Sequence, residues 1–125
     1  MRALLVLGLL LAGSTAAKAD KLMIFGGDNH RDYLGCLNCG EFEPDSIWNK
    51  FGQYGNQFGN NLFNPFSPYR NPFSQYSMCN RYATDPPVVV DGEGNFYGRL
   101  TLNKMRGDRI KKPEIVAWIA GVCGG

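Results

Sequence analysis

The sequence predicts a small single α+β domain, and three observations lead to this expectation. Short runs rich in Val, Ile, Phe and Tyr, bounded by glycine, predict a small sheet with a β-hairpin at 86–103. Residues 113–123 have the apolar spacing of an amphipathic helix that begins at Pro113. A first strand is expected at 21–25. Between it and the hairpin, residues 46–83 are rich in aromatic residues and asparagine, with too much glycine and proline for a long helix. We therefore expect a short sheet, an irregular segment with short helical turns, and a C-terminal helix.

The N-terminus has the three-part layout of a secretory signal peptide. Arg2 supplies a positive end, an apolar run covers 3–12, and Ala17-Lys18-Ala19 is an A-x-A cleavage pattern. The run is shorter than the roughly 20 apolar residues that a membrane-spanning helix needs. We therefore expect a signal peptide at 1–19 and a single mature domain at 20–125, secreted or periplasmic and without a membrane span. A retained N-terminal anchor is the alternative.

The charge balance disfavours one class of partner. The chain has 13 Lys and Arg against 11 Asp and Glu, and residues 1–19 contain Arg2 and Lys18 but no acid. Cleavage would therefore leave a formally neutral chain, whereas nucleic-acid binders depend on clustered Lys and Arg. The sequence leaves the partner unidentified; a cell-envelope glycan or protein is the expectation, and nucleic acid is disfavoured.

Residues 46–83 contain related copies of one sequence unit. The stretch SIWNKFGQYGNQFGN at 46–60 aligns with NLFNPFSPYRNPFSQ at 61–75 at an offset of fifteen residues, and SMCNRY at 77–82 is a partial third copy. We expect one short turn in each outer copy and an irregular middle copy. The side-chain amides of Asn49, Asn64 and Asn80 are expected to bind the backbone of these turns.

The aromatic residues of this segment have two interpretations. Nine aromatic side chains lie between Trp48 and Tyr76, where aliphatic residues are few. We expect them to pack inward as the core, because aromatic side chains bury large apolar areas. The alternative is an exposed platform that stacks on sugar rings or on a partner's side chains. Its candidate residues are Trp48, Phe51, Tyr54, Phe63 and Tyr69.

Several motifs together resemble a known set of proteins. The G-C-L-N-C element at 35–39, the S-I-W-N-x-F-G-x-Y-G unit at 46–55, the S-x-C-N at 77–80 and the P-P-V-V-V-D hairpin at 86–103 resemble small exported bacterial proteins. Similar segments also follow thermonuclease-like domains in larger proteins. The resemblance covers about residues 24–103 and implies a shared module without a known activity. It assigns Cys36, Cys39 and Cys79 to that module and makes Cys123 an addition.

The four cysteines predict two structural disulfides, because small exported domains commonly use such bonds. Sequence leaves three complete pairings open. One expected bond joins the C-x-x-C element, through Cys36 or Cys39, to Cys79. This bond would close a loop of about forty residues around the repeated copies. Zinc held by Cys36, Cys39 and Cys79, with His30 or Cys123 as fourth ligand, is an alternative. Thiol–disulfide chemistry at the C-x-x-C is another.

Two further polar groups have a structural and a chemical interpretation. His30, the only histidine, is expected to bind Asp28 or Asp32 in a loop. Asp91, Glu93 and Asn95 alternate as the oxygen ligands of calcium loops do, but the glycines around them favour a hairpin turn.

The functional expectation is a binding or structural module of the cell envelope. An active site needs titratable groups that converge on a cleft, and the chain has a single histidine and scattered acids. The sequence therefore indicates no catalytic activity and no cofactor, with zinc binding or thiol redox chemistry as the alternative function.

Overall fold

A computed structural model describes residues 20–124 as one small α+β domain. A four-stranded antiparallel sheet has the strand order β2-β1-β3-β4. Its strands are β1 (Met23–Gly26), β2 (Asp32–Cys36), β3 (Val88–Val90) and β4 (Phe96–Arg99), and one helix, α1 (Pro113–Gly124), follows the sheet. The predicted fold class is therefore confirmed. The predicted signal peptide lies outside the described residues.

The first two strands form a hairpin whose second strand was not predicted. A short 3-10 turn at Asp28–His30 joins β1 to β2. Within β2, Gly35 has a φ of +117°, and a Cβ at this position would lie 2.7 Å from Cγ2 of Ile47. Because glycine avoids both the strain and the clash, the segment that follows β2 and contains Ile47 can pack directly on this strand.

The second hairpin confirms the prediction for 86–103. The strands β3 and β4 pair antiparallel around the tight turn at 91–95. Gly94 has a φ of +85° there, the left-handed conformation that hairpin turns require and that glycine adopts without strain. The pairing between β1 and β3 makes this hairpin continuous with the first one.

The helix α1 begins at Pro113, as the sequence predicts, and has Glu114 in its first turn. Ile119 is buried, and the half-buried Ile115, Trp118 and Val122 pack against the same core. No helix among residues 20–124 is long and apolar enough to cross a bilayer.

Residues 46–83, called here the turn segment, consist of successive turns, with a single bridge from Ser46 to Cys36 as their only β-pairing. Single hydrogen-bonded turns are present, and none of them extends into a helix within this described stretch. The turn segment supplies part of the core, which is one cluster of buried side chains: Ile24, Leu34, Leu37, Ile47, Leu62, Tyr69, Met78, Val89, Leu100 and Ile119.

Candidate binding surface

The turn segment repeats one hydrogen-bond arrangement. The Oδ1 atom of an asparagine accepts a hydrogen bond from the backbone N–H two residues later, which closes a tight side-chain-to-backbone turn. The distances are 2.6–3.0 Å. The asparagines with this bond and an exposed donor are Asn49, Asn56, Asn64, Asn71, Asn80 and, beyond the turn segment, Asn103. The fully buried Asn61 makes the same bond to Phe63 N–H, but Phe63 is half-buried, so this turn is kept apart from the other six.

Each of these turns carries a large hydrophobic residue at the donating position, and we call the unit an N-x-Φ turn. All six Φ side chains are between 83% and 99% exposed. They are Phe51, Phe58, Phe66, Phe73, Tyr82 and Met105. Exposed large apolar side chains that share one local structure are candidates for a contact with a partner, so we treat these six residues together as the candidate binding surface, called here the Φ surface.

The asparagine side chains also anchor the turns through their amide nitrogens. The Nδ2 atom of Asn49 donates to Glu43 O, that of Asn56 to Gly52 O, and that of Asn64 to Gly59 O. The amide of Asn80 donates to Ser74 O in the same way. The prediction that these amides bind the backbone is confirmed. These four amides therefore fix the backbone under the Φ residues through both their oxygen and their nitrogen.

The opposite side of the turn segment faces the core. Three pairs of a buried polar residue and a buried apolar residue occupy equivalent positions: Ser46-Ile47, Asn61-Leu62 and Ser77-Met78. The Asn61 side chain makes four hydrogen bonds: its Nδ2 donates to Gln53 O and Asn56 O, and its Oδ1 accepts from the N–H groups of Phe63 and Asn64. Buried polar residues thus hold the chain inward between the exposed Φ positions.

The expected packing of all aromatics into the core is wrong for Phe51, Phe58, Phe66 and Phe73. Each of these phenylalanines donates its N–H to the asparagine two residues earlier and projects into solvent. The other platform candidates lie inward: Tyr69 is buried, whereas Tyr54 and Phe63 are half-buried against the core. Of the five residues predicted as a platform, only Phe51 belongs to the Φ surface.

Trp48 lies at the boundary between core and solvent, with 36% of its surface exposed. Its Nε1 donates to Leu37 O at 2.8 Å, and its ring meets that of Trp118 edge-on at 5.3 Å. A groove of about 490 Å³ lies beside the two tryptophans, and Phe58 and Lys50 also line it. One Φ residue therefore borders an aromatic groove between the turn segment and α1.

A second groove brings together two N-x-Φ turns that are distant in sequence. Its volume is about 380 Å³, and its lining includes Tyr82 and Met105 with the cations Arg81 and Lys104. Each cation is the middle residue of its turn, directly before the Φ residue. The two turns thus combine two apolar tips with two positive charges in one place.

The charged residues within the six N-x-Φ turns are of one sign. The middle residues of the six turns are Lys50, Gln57, Pro65, Pro72, Arg81 and Lys104, three of them cationic and none acidic. No Asp or Glu occurs from 46 to 84, whereas residues 20–45 contain six acidic residues and only Lys21 and Arg31 as cations. The turn segment therefore has a net positive charge, from Lys50, Arg70 and Arg81, and residues 20–45 before it have a net negative one.

The cysteines form two disulfides, Cys36–Cys39 and Cys79–Cys123. The prediction of disulfides is confirmed, but the expected bond from the Cys36–Cys39 pair to Cys79 is wrong. The tight loop after β2 brings Cys36 and Cys39 together, and α1 brings Cys123 to Cys79 instead. Arg70 reinforces this second link, because its guanidinium donates to Phe63 O and to Val122 O near the end of α1.

The proposed zinc ligands are not brought together. Cys79 is bonded to Cys123, and His30 is hydrogen-bonded through Nε2 to Asp85 Oδ1 at 2.7 Å rather than to Asp28 or Asp32. Arg99 also donates to Asp85, and the bonds from Arg99 and His30 hold the pKa of this carboxyl below its ordinary value although burial opposes them. His30 therefore serves to join the first hairpin to the second.

Within residues 20–124, one group of potential metal ligands lies close together: Cys39, Glu43 and Asp45. The sulfur of Cys39 is in a disulfide, and Asp45 accepts hydrogen bonds from Lys21 and Tyr33 at 2.6 Å each. The Lys21 and Tyr33 bonds hold the pKa of Asp45 below its ordinary value. The group is accounted for by these protein contacts.

The candidate calcium residues form the hairpin turn instead of an oxygen cluster. Asp91 accepts hydrogen bonds from the N–H of Glu93, from the N–H and the side-chain amide of Asn95, and from the hydroxyl of Tyr97. The Asn95 amide and these other donors lower the pKa of Asp91 to about 2. Because the Asn95 side chain presents a donor to Asp91, the arrangement is that of a closed turn.

No protein-family model, curated protein or solved structure matches the chain. The geometry of the Φ surface is therefore the basis for inferring a function. A sequence signal for this surface exists but was missed: the pattern N-x-[FYM] begins at 49, 56, 61, 64, 71 and 80 of the turn segment, and in five of these six places its last residue is exposed.

Proposed function

We propose that this protein is an exported, non-catalytic binding module of the cell envelope and that the Φ surface is its contact surface. The observation that carries the proposal is the presence of six large hydrophobic side chains, each at least 83% exposed and each on its own asparagine turn. Burial of one such side chain against a partner is worth about 1.5–3 kcal/mol.

The rigidity of the turns favours binding. Each Φ residue follows a backbone that is fixed by the Oδ1 bond, and four of the asparagines also donate to an earlier carbonyl. A pre-ordered contact loses little conformational entropy when the partner arrives, so more of the apolar burial remains as affinity.

Export is supported by the layout of residues 1–19 and by the two disulfides, because such bonds persist in oxidising compartments. We further propose that residues 24–103 form the module of the small exported bacterial proteins that the sequence resembles. The partner in this proposal is a component of the envelope: its lipid, its glycan or another protein.

The absence of catalysis is supported by how the titratable groups are used. Asp45, Asp85 and Asp108 are each engaged by cationic side chains, and His30 shares the Asp85 carboxylate with Arg99. These groups satisfy one another as links between elements and do not converge on a cleft, as a catalytic constellation would.

Thiol redox chemistry at Cys36–Cys39 is the second candidate, favoured by the C-x-x-C disulfide itself. Two features weigh against it: Cys36 is fully buried, and it ends a strand rather than beginning a helix whose dipole would stabilise a thiolate. A disulfide-reductase assay tests this candidate, and we expect no activity above that of the Cys39→Ser variant.

Cell fractionation tests the binding proposal. The full chain is produced in its source cells as wild type and as the triple variant Phe51→Ser, Phe66→Ser, Phe73→Ser. The matched control is Phe42→Ser, which changes a phenylalanine that is 90% exposed but lies between Glu41 and Glu43, outside any N-x-Φ turn.

We expect wild type and Phe42→Ser to sediment with the envelope and the triple variant to shift to the soluble exported fraction. A triple variant that stays with the envelope as fully as wild type would contradict the proposal. Pull-down on purified peptidoglycan, with Trp48→Ala for comparison, identifies a glycan partner if one exists.

A further inference from the structure

We propose that the partner of the Φ surface is the surface of a bilayer that contains anionic lipid, an inference that rests on the proposed function and specifies its partner. The Φ residues would enter the interface between headgroups and acyl chains, and the neighbouring cations would contact the anionic headgroups. The protein would lie on the membrane and not cross it.

The bonding of the asparagine amides beside the Φ residues favours a bilayer over a sugar. Glycan recognition needs hydrogen-bonding groups near the stacking ring, but the amides of Asn49, Asn56, Asn64 and Asn80 are already bonded on both sides to the backbone. Insertion into a lipid interface requires only large apolar side chains, because the acyl region forms no hydrogen bonds with them.

The charges favour anionic lipid in particular. Lys50, Arg81 and Lys104 stand directly before Phe51, Tyr82 and Met105, so in half of the six turns a cation adjoins the apolar tip. Residues 46–84 contain no acid that would be repelled by such a surface, whereas the six acids of 20–45 precede this segment. A juxtaposition of apolar tips and cations is the pattern that binds negatively charged membranes.

The groove between Tyr82 and Met105 brings two cations and two Φ side chains together in one place. Two turns separated by more than twenty residues converge there, and Arg81 and Lys104 line the same groove of about 380 Å³. We assign this groove to one anionic headgroup, with the two cations on the phosphate and the two Φ side chains beside the glycerol and upper acyl chains.

Vesicle sedimentation tests the inference on the purified, oxidised full chain. One set of vesicles contains phosphatidylglycerol in phosphatidylcholine, and the other contains phosphatidylcholine alone. We expect binding to the anionic vesicles that weakens as salt is added, and at least ten-fold weaker binding to the neutral ones, because electrostatic attraction to lipid is screened.

Two sets of variants identify the groups responsible. Each Phe→Ser change at Phe51, Phe66 or Phe73 should weaken partition about ten-fold, and Phe42→Ser should leave it unchanged. Each change of Lys50, Arg81 or Lys104 to Gln should weaken partition about five-fold, the effect of one cation near the membrane surface. The matched control is Arg31→Gln, since Arg31 lies in the acidic part of the chain and pairs with Asp28.

Because these side chains are exposed, the variants are expected to fold, and near-UV circular dichroism with intact-mass analysis of both disulfides verifies it. The inference is overturned if wild type ignores anionic vesicles, binds neutral ones equally well, or loses as much through Phe42→Ser as through Phe51→Ser. If vesicle binding fails while the triple variant still leaves the envelope fraction, the lipid is wrong and the proposed function stands. If both fail, the Φ surface is not a binding surface.

Discussion

The sheet and the turn segment differ in how the hydrogen bonds of their backbone N–H and C=O groups are satisfied. In the sheet, backbone groups pair with one another, so β1 and β3 can use side chains such as Ile24 and Val89 for the core. In the turn segment, asparagine and serine side chains satisfy the backbone, as Asn64 does for Phe66 N–H and Gly59 O. The difference teaches that a chain with little regular pairing can still be rigid, provided that its polar residues are fixed.

This division has a consequence for the hydrophobic residues. A strand alternates its side chains between two faces, and one face of the sheet contributes to the core. In the turn segment the inward positions are occupied by pairs such as Asn61-Leu62, and the large residues after the turn asparagines project outward. Stability in the sheet should therefore depend on apolar packing, whereas in the turn segment it should depend on polar side chains.

Removal of the Cys79–Cys123 disulfide is expected to lower the free energy of unfolding more than any other change proposed here. Cys79–Cys123 spans 44 residues and ties the turn segment to α1, whereas Cys36–Cys39 spans three residues at the end of β2. In the chain-entropy model, replacing the first pair by alanine should lower the free energy of unfolding by about 4 kcal/mol and the second by about 1.5 kcal/mol. Urea denaturation measures both, and equal losses would contradict the view that the long-range bond holds the turn segment in place.

Asn61→Ala removes a fully buried side chain that makes four hydrogen bonds within the turn segment. The substitution leaves Gln53 O, Asn56 O and two N–H groups without their partner, and we expect a loss of about 3 kcal/mol in the free energy of unfolding. The less buried Asn49→Ala should cost about 1 kcal/mol. Urea denaturation again provides the measurement.

Ile24 in β1 provides the matching test of apolar packing in the sheet. Ile24→Val trims a fully buried side chain without removing any hydrogen bond, and it should cost about 1 kcal/mol. If Asn61→Ala proved no more harmful than Ile24→Val, the asparagine network would be a minor contributor and the comparison would fail.

The acid response should originate in hydrogen-bonded carboxylates, with Asp91 as the clearest case. Its pKa falls from 3.8 to about 2 in the folded hairpin, chiefly through the Asn95 amide. Because folding lowers this pKa, the stabilisation is present above pH 3.8 and is lost as the pH falls towards about 2. We expect Asp91→Asn to flatten the pH dependence of the free energy of unfolding in this window, measured by urea denaturation at each pH.

The pKa values of Asp45, Asp85 and Asp108 are also lowered in the folded chain, so a residual acid dependence should remain in Asp91→Asn. A variant whose dependence below pH 3.8 matches wild type would show that the hairpin carboxylate is not part of the acid response.

The smallest expected effect is on stability at the Φ surface. Phe66→Ser removes a side chain that is 88% exposed and makes no core contact, so the free energy of unfolding should change by less than about 0.5 kcal/mol. Thermal denaturation monitored by circular dichroism measures it. A loss comparable to that of Asn49→Ala would mean that the phenylalanine packs against the domain.

Local patterns in the sequence were sufficient for the second hairpin and for the helix. Val88–Val90 and Phe96–Arg99 were predictable because β-favouring residues flank a glycine turn, and α1 because proline precedes an apolar stripe. The strand β2 was missed because its residues, DYLGC, contain a glycine that ordinarily interrupts strands and that here lies against Ile47, a contact made only in the folded chain.

The candidate site was less predictable for a physical reason. Hydrophobicity places phenylalanine in a core, and this expectation failed at Phe51, Phe58, Phe66 and Phe73, which follow half-buried asparagines that bind their N–H groups. The same bond at the fully buried Asn61 leaves Phe63 half-buried, so the direction of each ring depends on where its asparagine lies in the fold. The disulfide pairing depends on where α1 lies relative to the turn segment, a tertiary contact that cysteine spacing does not encode.

Hydroxyl-radical footprinting read out by mass spectrometry tests the central claim most directly, because it measures the solvent access of each aromatic ring in the folded, oxidised protein. We predict that Phe51, Phe58, Phe66 and Phe73 react as fast as in the denatured chain, whereas buried Tyr69 is protected. Protection of the four phenylalanines to the same degree as Tyr69 would contradict the account, since they would then belong to a core and not to a binding surface.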